Sequence, residues 1–171
     1  MVLPDVRLLN PFVRGAFSAL ESLGVRAERV GAPAVESGDD TTEPVTVIVP
    51  IVGALGGGVL YGFDQSVAEH LAGVLLGNRL AARWNDQRVE SALGEFGSMV
   101  FGHAAAALEE EGVRCAISRP IVTLHPRCIL ADQPFDRLVV ALATSLGPMK
   151  IHLALHDSRA HAWDVAYGPT G

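Results

Sequence analysis

The sequence predicts an α+β fold: a two-layer α/β sandwich in which a duplicated helix-plus-strands unit packs two long helices on a largely antiparallel sheet. Three observations lead to this prediction. Two segments have apolar residues at helical spacing. Each is followed by β-branched, strand-like segments. Finally, residues 19–21 (Ala-Leu-Glu) and 24–26 (Gly-Val-Arg) recur 88 positions later at residues 107–109 and 112–114. The order helix, strand, strand, strand therefore occurs twice, and an approximate two-fold axis is expected between the halves.

The first half opens with a helix whose start is marked by Asn10 and Pro11, since asparagine caps helix N-termini and proline suits the first turn. Its apolar stripe ends at Gly24. The rest of this half is predicted as an extended segment, an exposed loop, a strand, a glycine-rich connection and a second strand, at residues 25–35, 37–44, 45–52, 53–58 and 59–63. The connection has no lysine and leads into a strand, so we interpret it as a turn that needs positive φ and not as a phosphate-binding loop.

The longest helical pattern lies at residues 86–112, after a short helix that Asp64 caps and Gly77 ends. One side of this pattern is an apolar stripe formed by Val89, Ala92, Leu93, Phe96, Met99, Val100, Ala104, Ala107 and Leu108. The opposite side carries acidic and hydroxyl side chains among small neighbours, namely Ser91, Glu95, Ser98, Gly102 and Glu109 with Ala105 and Ala106. The backbone of a partner can come close to this side of the helix.

The second half is completed by an extended stretch, a polar loop and two strands, at residues 113–124, 126–135, 138–146 and 149–156. Gly147 and Pro148 are predicted to form the turn between the two strands. Alternation in the last strand places Ile151, Leu153 and Leu155 on one face and His152, Ala154 and His156 on the other.

The length and charge of the chain limit the classes of function it can have. With 171 residues the chain has the size of one domain, which we place at residues 1–157, followed by a tail at residues 158–171. The net charge is -6 and Lys150 is the only lysine, which excludes a basic surface for nucleic acid. Glycines and a proline interrupt the longest apolar run, so no membrane span is expected. We expect a soluble cytoplasmic protein.

Other kinds of active site fit the sequence poorly. Cys115 and Cys128 lack metal-binding spacing and are interpreted as buried thiols. His103 lies at the edge of the apolar stripe and is expected to be a packed core histidine. His152 and His156 lie roughly 13 Å apart along a strand, too far to bind one metal ion. Ser98 lies inside a helix without the Gly-x-Ser-x-Gly elbow, which argues against a serine nucleophile.

Four segments in order resemble one known family. They are residues 10–12 (Asn-Pro-Phe), residues 45–48 with 58–61, residues 92–99 (Ala-Leu-Gly-Glu-Phe-Gly-Ser-Met) and residues 117–122 (Ile-Ser-Arg-Pro-Ile-Val). Together they resemble the CheX branch of the CheC/CheX/FliY phosphatases, which act on the phosphorylated chemotaxis response regulator CheY. The similarity extends over residues 10–156.

This resemblance implies a homodimer with a duplicated two-layer fold, and a helix that docks on the active site of the regulator. In the family motif Glu-x-x-Asn, the acid pairs with a lysine of the regulator and the amide orients a water molecule toward the aspartyl phosphate. Here the motif reads Glu95 and Ser98, so the acid is present and the amide is replaced. Neighbours expected to contact the partner are Ser91, Gly94, Gly102 and Ala105. The Mg²⁺ belongs to the regulator, and the chain itself needs no cofactor.

Two hypotheses follow. In the first, the chain is a weak phosphatase, because a serine hydroxyl is shorter than the amide and lacks its separate donor and acceptor. Loss of one positioning group typically reduces the rate by roughly 10²–10³. In the second, the chain is a non-catalytic module that binds a receiver domain or pairs with an active relative.

Overall fold

The computed structural model describes residues 6–77, 87–131 and 135–157. The elements in chain order are α1 (Val6–Ser22), β1 (Ala27–Gly38), β2 (Val45–Gly53), β3 (Leu55–Phe63), α2 (Gln65–Leu75), α3 (Gln87–Glu110), β4 (Cys115–Ile117), β5 (Ile121–Thr123), β6 (Phe135–Thr144) and β7 (Gly147–Asp157). The tail expected at residues 158–171 lies outside the described residues.

The seven strands form one antiparallel sheet in the order β1-β6-β7-β3-β2-β4, with β5 also paired to β2. This order reads the same from both ends if β1 corresponds to β4 and β5, β2 to β6, and β3 to β7. The first strand of each half therefore pairs with the other half. The predicted fold class and its duplication are confirmed.

The internal repeat marks the same helix end in both halves. Gly24 has φ 74° after α1, and Gly112 has φ 80° after α3. In each case the amide of the next residue, Val25 or Val113, donates to the carbonyl five residues before it at 2.9 Å. A left-handed residue followed by this long hydrogen bond is the Schellman ending, which glycine adopts without steric cost.

The hydrophobic core lies between the helices and one face of the sheet. α1 and α3 pack together, and at Gly15 the contact is so close that an added Cβ would lie 2.7 Å from the Val100 carbonyl oxygen. The alternation predicted for β7 is confirmed, because Ile151, Leu153 and Leu155 belong to the hydrophobic core, whereas His152 contacts Glu43. The predicted α3 stripe is also confirmed, with Val89, Ala92, Leu93, Phe96, Val100, Ala104 and Leu108 buried and Met99 and Ala107 half-buried.

Several predicted boundaries are wrong. α1 starts at Val6, so Pro11 lies buried inside the helix and does not open it. Only Ala54 separates β2 from β3, and the glycines at 56–58 belong to β3. One of them, Gly57, has φ 107°, and a Cβ there would meet the Ala154 carbonyl oxygen. These glycines let β3 pack closely against β7 instead of forming a loop. The last hairpin turns at residues 145–146, two residues before the predicted turn.

The loop predicted as exposed at residues 37–44 is in fact held against the sheet. β1 continues to Gly38, and residues 39–44, called the strap from here on, cross the sheet face opposite the helices on the way to β2. Thr41 is 2% exposed. Its amide donates to the Cys128 carbonyl, and the Cys128 amide donates to Thr41 Oγ1, both at 3.0 Å. Residues 127–130 therefore run alongside the strap.

Candidate functional site

Aromatic packing fixes α3 on the centre of the sheet. The Phe96 ring meets the Tyr61 ring edge to face at 5.7 Å and the Phe63 ring at 6.1 Å. The next residue, Gly97, has no side chain, and a Cβ there would lie 2.8 Å from Val49 Cγ2. The middle of the motif thus faces the core, so its two flanking residues, Glu95 and Ser98, turn outward.

The outward side of α3 is called the α3 exposed face, and it comprises Ser91, Gly94, Glu95, Ser98, Gly102 and Ala105. Ser91, Glu95 and Gly102 are exposed, while Gly94, Ser98 and Ala105 are half-buried. All six lie on the side of the helix away from the buried stripe, because residues three, four and seven apart share a helix face. The structure therefore places every site residue named from the sequence on one accessible surface.

The Ser98 hydroxyl is engaged within its own helix. Its Oγ donates to the Gly94 carbonyl oxygen at 3.3 Å, a long hydrogen bond to the preceding turn. In this conformation the proton points along the helix, and the oxygen lone pairs remain available to a hydrogen-bond donor. Serine can therefore accept a bond from a water molecule here, but it does not offer a second, separate donor as an amide would.

A proline flanks this face, which the sequence did not indicate. Pro120 lies in the β4–β5 connection, and its Cβ is 3.9 Å from the position a Cβ would occupy at Gly94. The preceding residue, Arg119, is exposed. The sequence pattern predicts only an extended stretch at these residues, because nothing in it places them beside α3.

A buried polar cluster on the opposite side of the sheet was also missed. His152 is 1% exposed, and its Nε2 lies 3.2 Å from Glu43 Oε2 in the strap. Lys150 Nζ lies 3.6 Å from Glu43 Oε1. Burial by itself raises the pKa of Glu43, but the hydrogen bond and charge of His152, together with Thr42 and Lys150, outweigh it and hold that pKa at about 2. The contacts of Glu43 with His152 and Lys150 hold the strap against β7.

The positions of three histidines were considered in the sequence as core or metal-binding positions. His103 was expected in the core but is exposed, and its Cβ lies 3.4 Å from the position a Cβ would occupy at Gly15, beside the contact between α1 and α3. His152 and His156 lie four ladder positions apart on β7, opposite Leu60 and Gly56 of β3. In the described residues, no cluster of three or more His, Cys, Asp or Glu side chains could hold a metal ion. No described helix is long and apolar enough to cross a membrane.

A family model described as chemotaxis phosphatase CheX matches residues 45–133, just over half of the chain. The chain belongs to the CheX family. The matched segment includes all of α3 and the β4–β5 connection. No curated protein matches the sequence.

Solved structures agree with the fold. A CheX protein from Desulfovibrio desulfuricans is 23% identical, with a TM-score of 0.74 over 88% of this chain and 99% of that one. CheX from Vibrio vulnificus is 20% identical, with a TM-score of 0.73 over 88% and 99%. CheX in a complex with CheY, BeF3 and Mg²⁺ from Borrelia burgdorferi is 19% identical, with a TM-score of 0.63 over 86% and 97%.

Proposed function

We propose that this CheX-family protein docks its α3 exposed face on a phosphorylated receiver domain of the CheY type and promotes hydrolysis of the aspartyl phosphate. The observation that carries the proposal is that the family match includes α3, where Glu95 and Ser98 lie three residues apart on one accessible surface. The Borrelia structure supports the choice of partner, since that CheX is bound to CheY.

Each residue has a role in this proposal. Glu95 pairs with a lysine of the receiver, and Ser98 orients the attacking water in line with the phosphoryl group. The small neighbours Ser91, Gly94, Gly102 and Ala105 let the receiver backbone approach. Mg²⁺ comes with the receiver, as the Borrelia complex also suggests, because that complex contains Mg²⁺. Phosphoryl transfer needs mainly positioning and charge neutralisation, so a helix with no metal of its own can accelerate it.

A non-catalytic binder is the second candidate. The Ser98 hydroxyl donates to Gly94, so one helix carbonyl competes with water for its only proton. If that competition prevents the water from being held in line, α3 binds the receiver without accelerating phosphate loss. The activity is in either case expected to be lower than that of a Glu-x-x-Asn member.

The deciding measurement is the dephosphorylation rate of a purified phospho-receiver with and without this protein, together with its binding affinity. We expect acceleration that is lost in Ser98→Ala and in Glu95→Ala, the latter also with weaker binding. Glu21→Ala is the matched control, an exposed acid on α1. Binding without any acceleration by the parent protein would favour the binder over the enzyme.

Assembly and location are also proposals. We propose one domain at residues 1–157 with a tail at 158–171, a homodimer, and a cytoplasmic location where CheY-type receivers act. A homodimer has an available edge in β1, which pairs only with β6 among the described strands and exposes Val30 and Val35. Light scattering of the full chain would show a monomer if this proposal is wrong.

A further inference from the structure

The backbone at Arg119 is anchored beside the α3 exposed face. The preceding amide, that of Ser118, donates to the Pro50 carbonyl oxygen at 3.1 Å. On the other side, Pro120 restricts the backbone, and β5 begins directly after it with ladder pairing to β2. The connection that carries Arg119 is therefore short and anchored at both ends.

This position is on the Ser98 side of the helix. Pro120 Cβ lies 3.9 Å from the Cβ position of Gly94. Ser98 follows Gly94 by four residues and lies one turn further along the same flank. Adjacent Cα atoms are about 3.8 Å apart, so the long Arg119 side chain starts next to this flank. Glu95 lies around the helix on the other side of the face.

Arg119 supplies a positive charge beside a mostly acidic helix. The exposed charged side chains on α3 are mostly acidic, with Glu95 at the centre, and the chain carries a net charge of -6. An aspartyl phosphate that approaches such a surface meets like charges, which disfavours association. Arg119 is exposed and forms no ion pair within the described part of the chain. By contrast, the exposed Arg114 lies 3.6 Å from Glu109.

We propose that Arg119 is a specificity-determining residue that contacts the anionic phosphorylation site of a receiver docked on the α3 exposed face. The inference rests on the proposed function and adds a second charged contact to it. Glu95 meets the receiver lysine at one side of the face. Arg119 meets the phosphoryl group, and the carboxylates of the receiver's phosphorylation site, at the Ser98 side. A guanidinium suits this task, because its planar fork binds phosphate and carboxylate oxygens in pairs.

The test measures the affinity of the full-length protein for a CheY-type receiver that is either loaded with beryllofluoride and Mg²⁺, as a stable phosphoryl mimic, or left unloaded. We expect Arg119→Glu to weaken binding of the loaded receiver by about 10–100-fold, more strongly at low salt. Arg119→Lys keeps the charge and is expected to retain most of the affinity. Arg114→Glu is the control, an equal charge reversal just before β4, whereas Arg119 follows that strand, and its affinity is expected to change by no more than about twofold.

The outcomes separate the two proposals. Unchanged binding by Arg119→Glu, with a parent protein that binds, would overturn the role of Arg119 and leave the proposed function intact. An equal loss for loaded and unloaded receivers would overturn the contact with the phosphorylation site. A parent protein that binds no loaded receiver would overturn the proposed function and this inference together. Circular dichroism of each variant checks that the fold is retained.

Discussion

Ser98→Asn is predicted to raise phosphatase activity, because it places an amide where the CheX motif has one. The site has room for the longer side chain. Gly94, one turn before, has no side chain, and the nearest atom to a Cβ there is Pro120 Cβ at 3.9 Å. The only described interaction lost is the long Ser98–Gly94 hydrogen bond at 3.3 Å. Serine and asparagine have similar helix propensity, so the free energy of unfolding should change by less than about 1 kcal/mol.

The gain expected in rate is roughly 10²–10³-fold, which corresponds to about 3–4 kcal/mol of transition-state stabilisation. An asparagine amide has a carbonyl acceptor and an NH₂ donor with two protons, so it can bond the water through either group. The serine hydroxyl has one proton, which it donates to the Gly94 carbonyl oxygen. The assay is loss of phosphate from a phosphorylated receiver in single turnover, with the variant in excess, so that the rate reports chemistry and not release of the receiver.

Ser18→Asn is the matched control, since residue 18 is an exposed serine on α1, outside the α3 exposed face. It introduces the same side chain away from the proposed water site and is expected to leave the rate unchanged. The reasoning would be refuted if Ser98→Asn bound the receiver as tightly as the parent but hydrolysed the phosphate no faster. Equal acceleration by both variants would refute it too, because the effect would not depend on position 98.

Three predictions concern stability. Gly15→Ala should lower the free energy of unfolding, measured in urea, by about 1–3 kcal/mol, because its Cβ would lie 2.7 Å from a carbonyl oxygen. Gly73→Ala should raise it by about 0.5–1 kcal/mol, because a Cβ at that helical position meets nothing within 4 Å. Tyr61→Phe should be neutral or up to about 1 kcal/mol more stable by the same measurement, since the buried hydroxyl has no partner among the described residues; a clear loss would reveal one. The pKa of Glu43 is about 2 in the fold against 4.5 unfolded, so its stabilisation is complete above pH 4.5 and lost as the pH falls toward 2. Solvent screening reduces the contribution of Glu43 to the free energy of unfolding to roughly 2 kcal/mol. Glu43→Gln should therefore make the thermal unfolding temperature less dependent on pH between about 4.5 and 2.

The elements of the fold were predictable because periodicity reports which residues are buried. The α3 stripe follows from one-sided burial, and the apolar positions of β7 alternate because only one of its faces meets the helices. Boundaries failed where tertiary packing overrides local preference. Pro11 reads as a helix start, yet α1 begins one turn earlier at Val6. The glycines at residues 56–58 read as a loop, yet they form a strand that presses against β7, because close backbone approach also requires glycine.

The candidate site was predictable only in part, for a similar reason. Glu95 and Ser98 share one helix, so their spacing alone places them on one face. Arg119 comes from a separate element, and its position beside Gly94 depends on how β4 and β5 pair with β2. The Glu43–His152 bond joins residues 109 positions apart and exists because the strap crosses the sheet. Contacts made by a crossing connection leave no periodic signal in the sequence.

The duplicated fold contains two helices in equivalent positions, yet the chemistry suited to a receiver occurs beside α3. The repeat offset of 88 maps Glu95 onto Arg7 and Ser98 onto Asn10, both exposed on α1. The same offset maps Arg119 onto Gly31, whose φ of 73° marks the irregular point of β1. The α1 side thus has Arg7 in place of the acid Glu95, and Gly31, which has no side chain, in place of the cation Arg119. A receiver that presents a lysine and a phosphoryl group needs an acid and a cation in that arrangement, and among the described helices that combination lies on and beside α3.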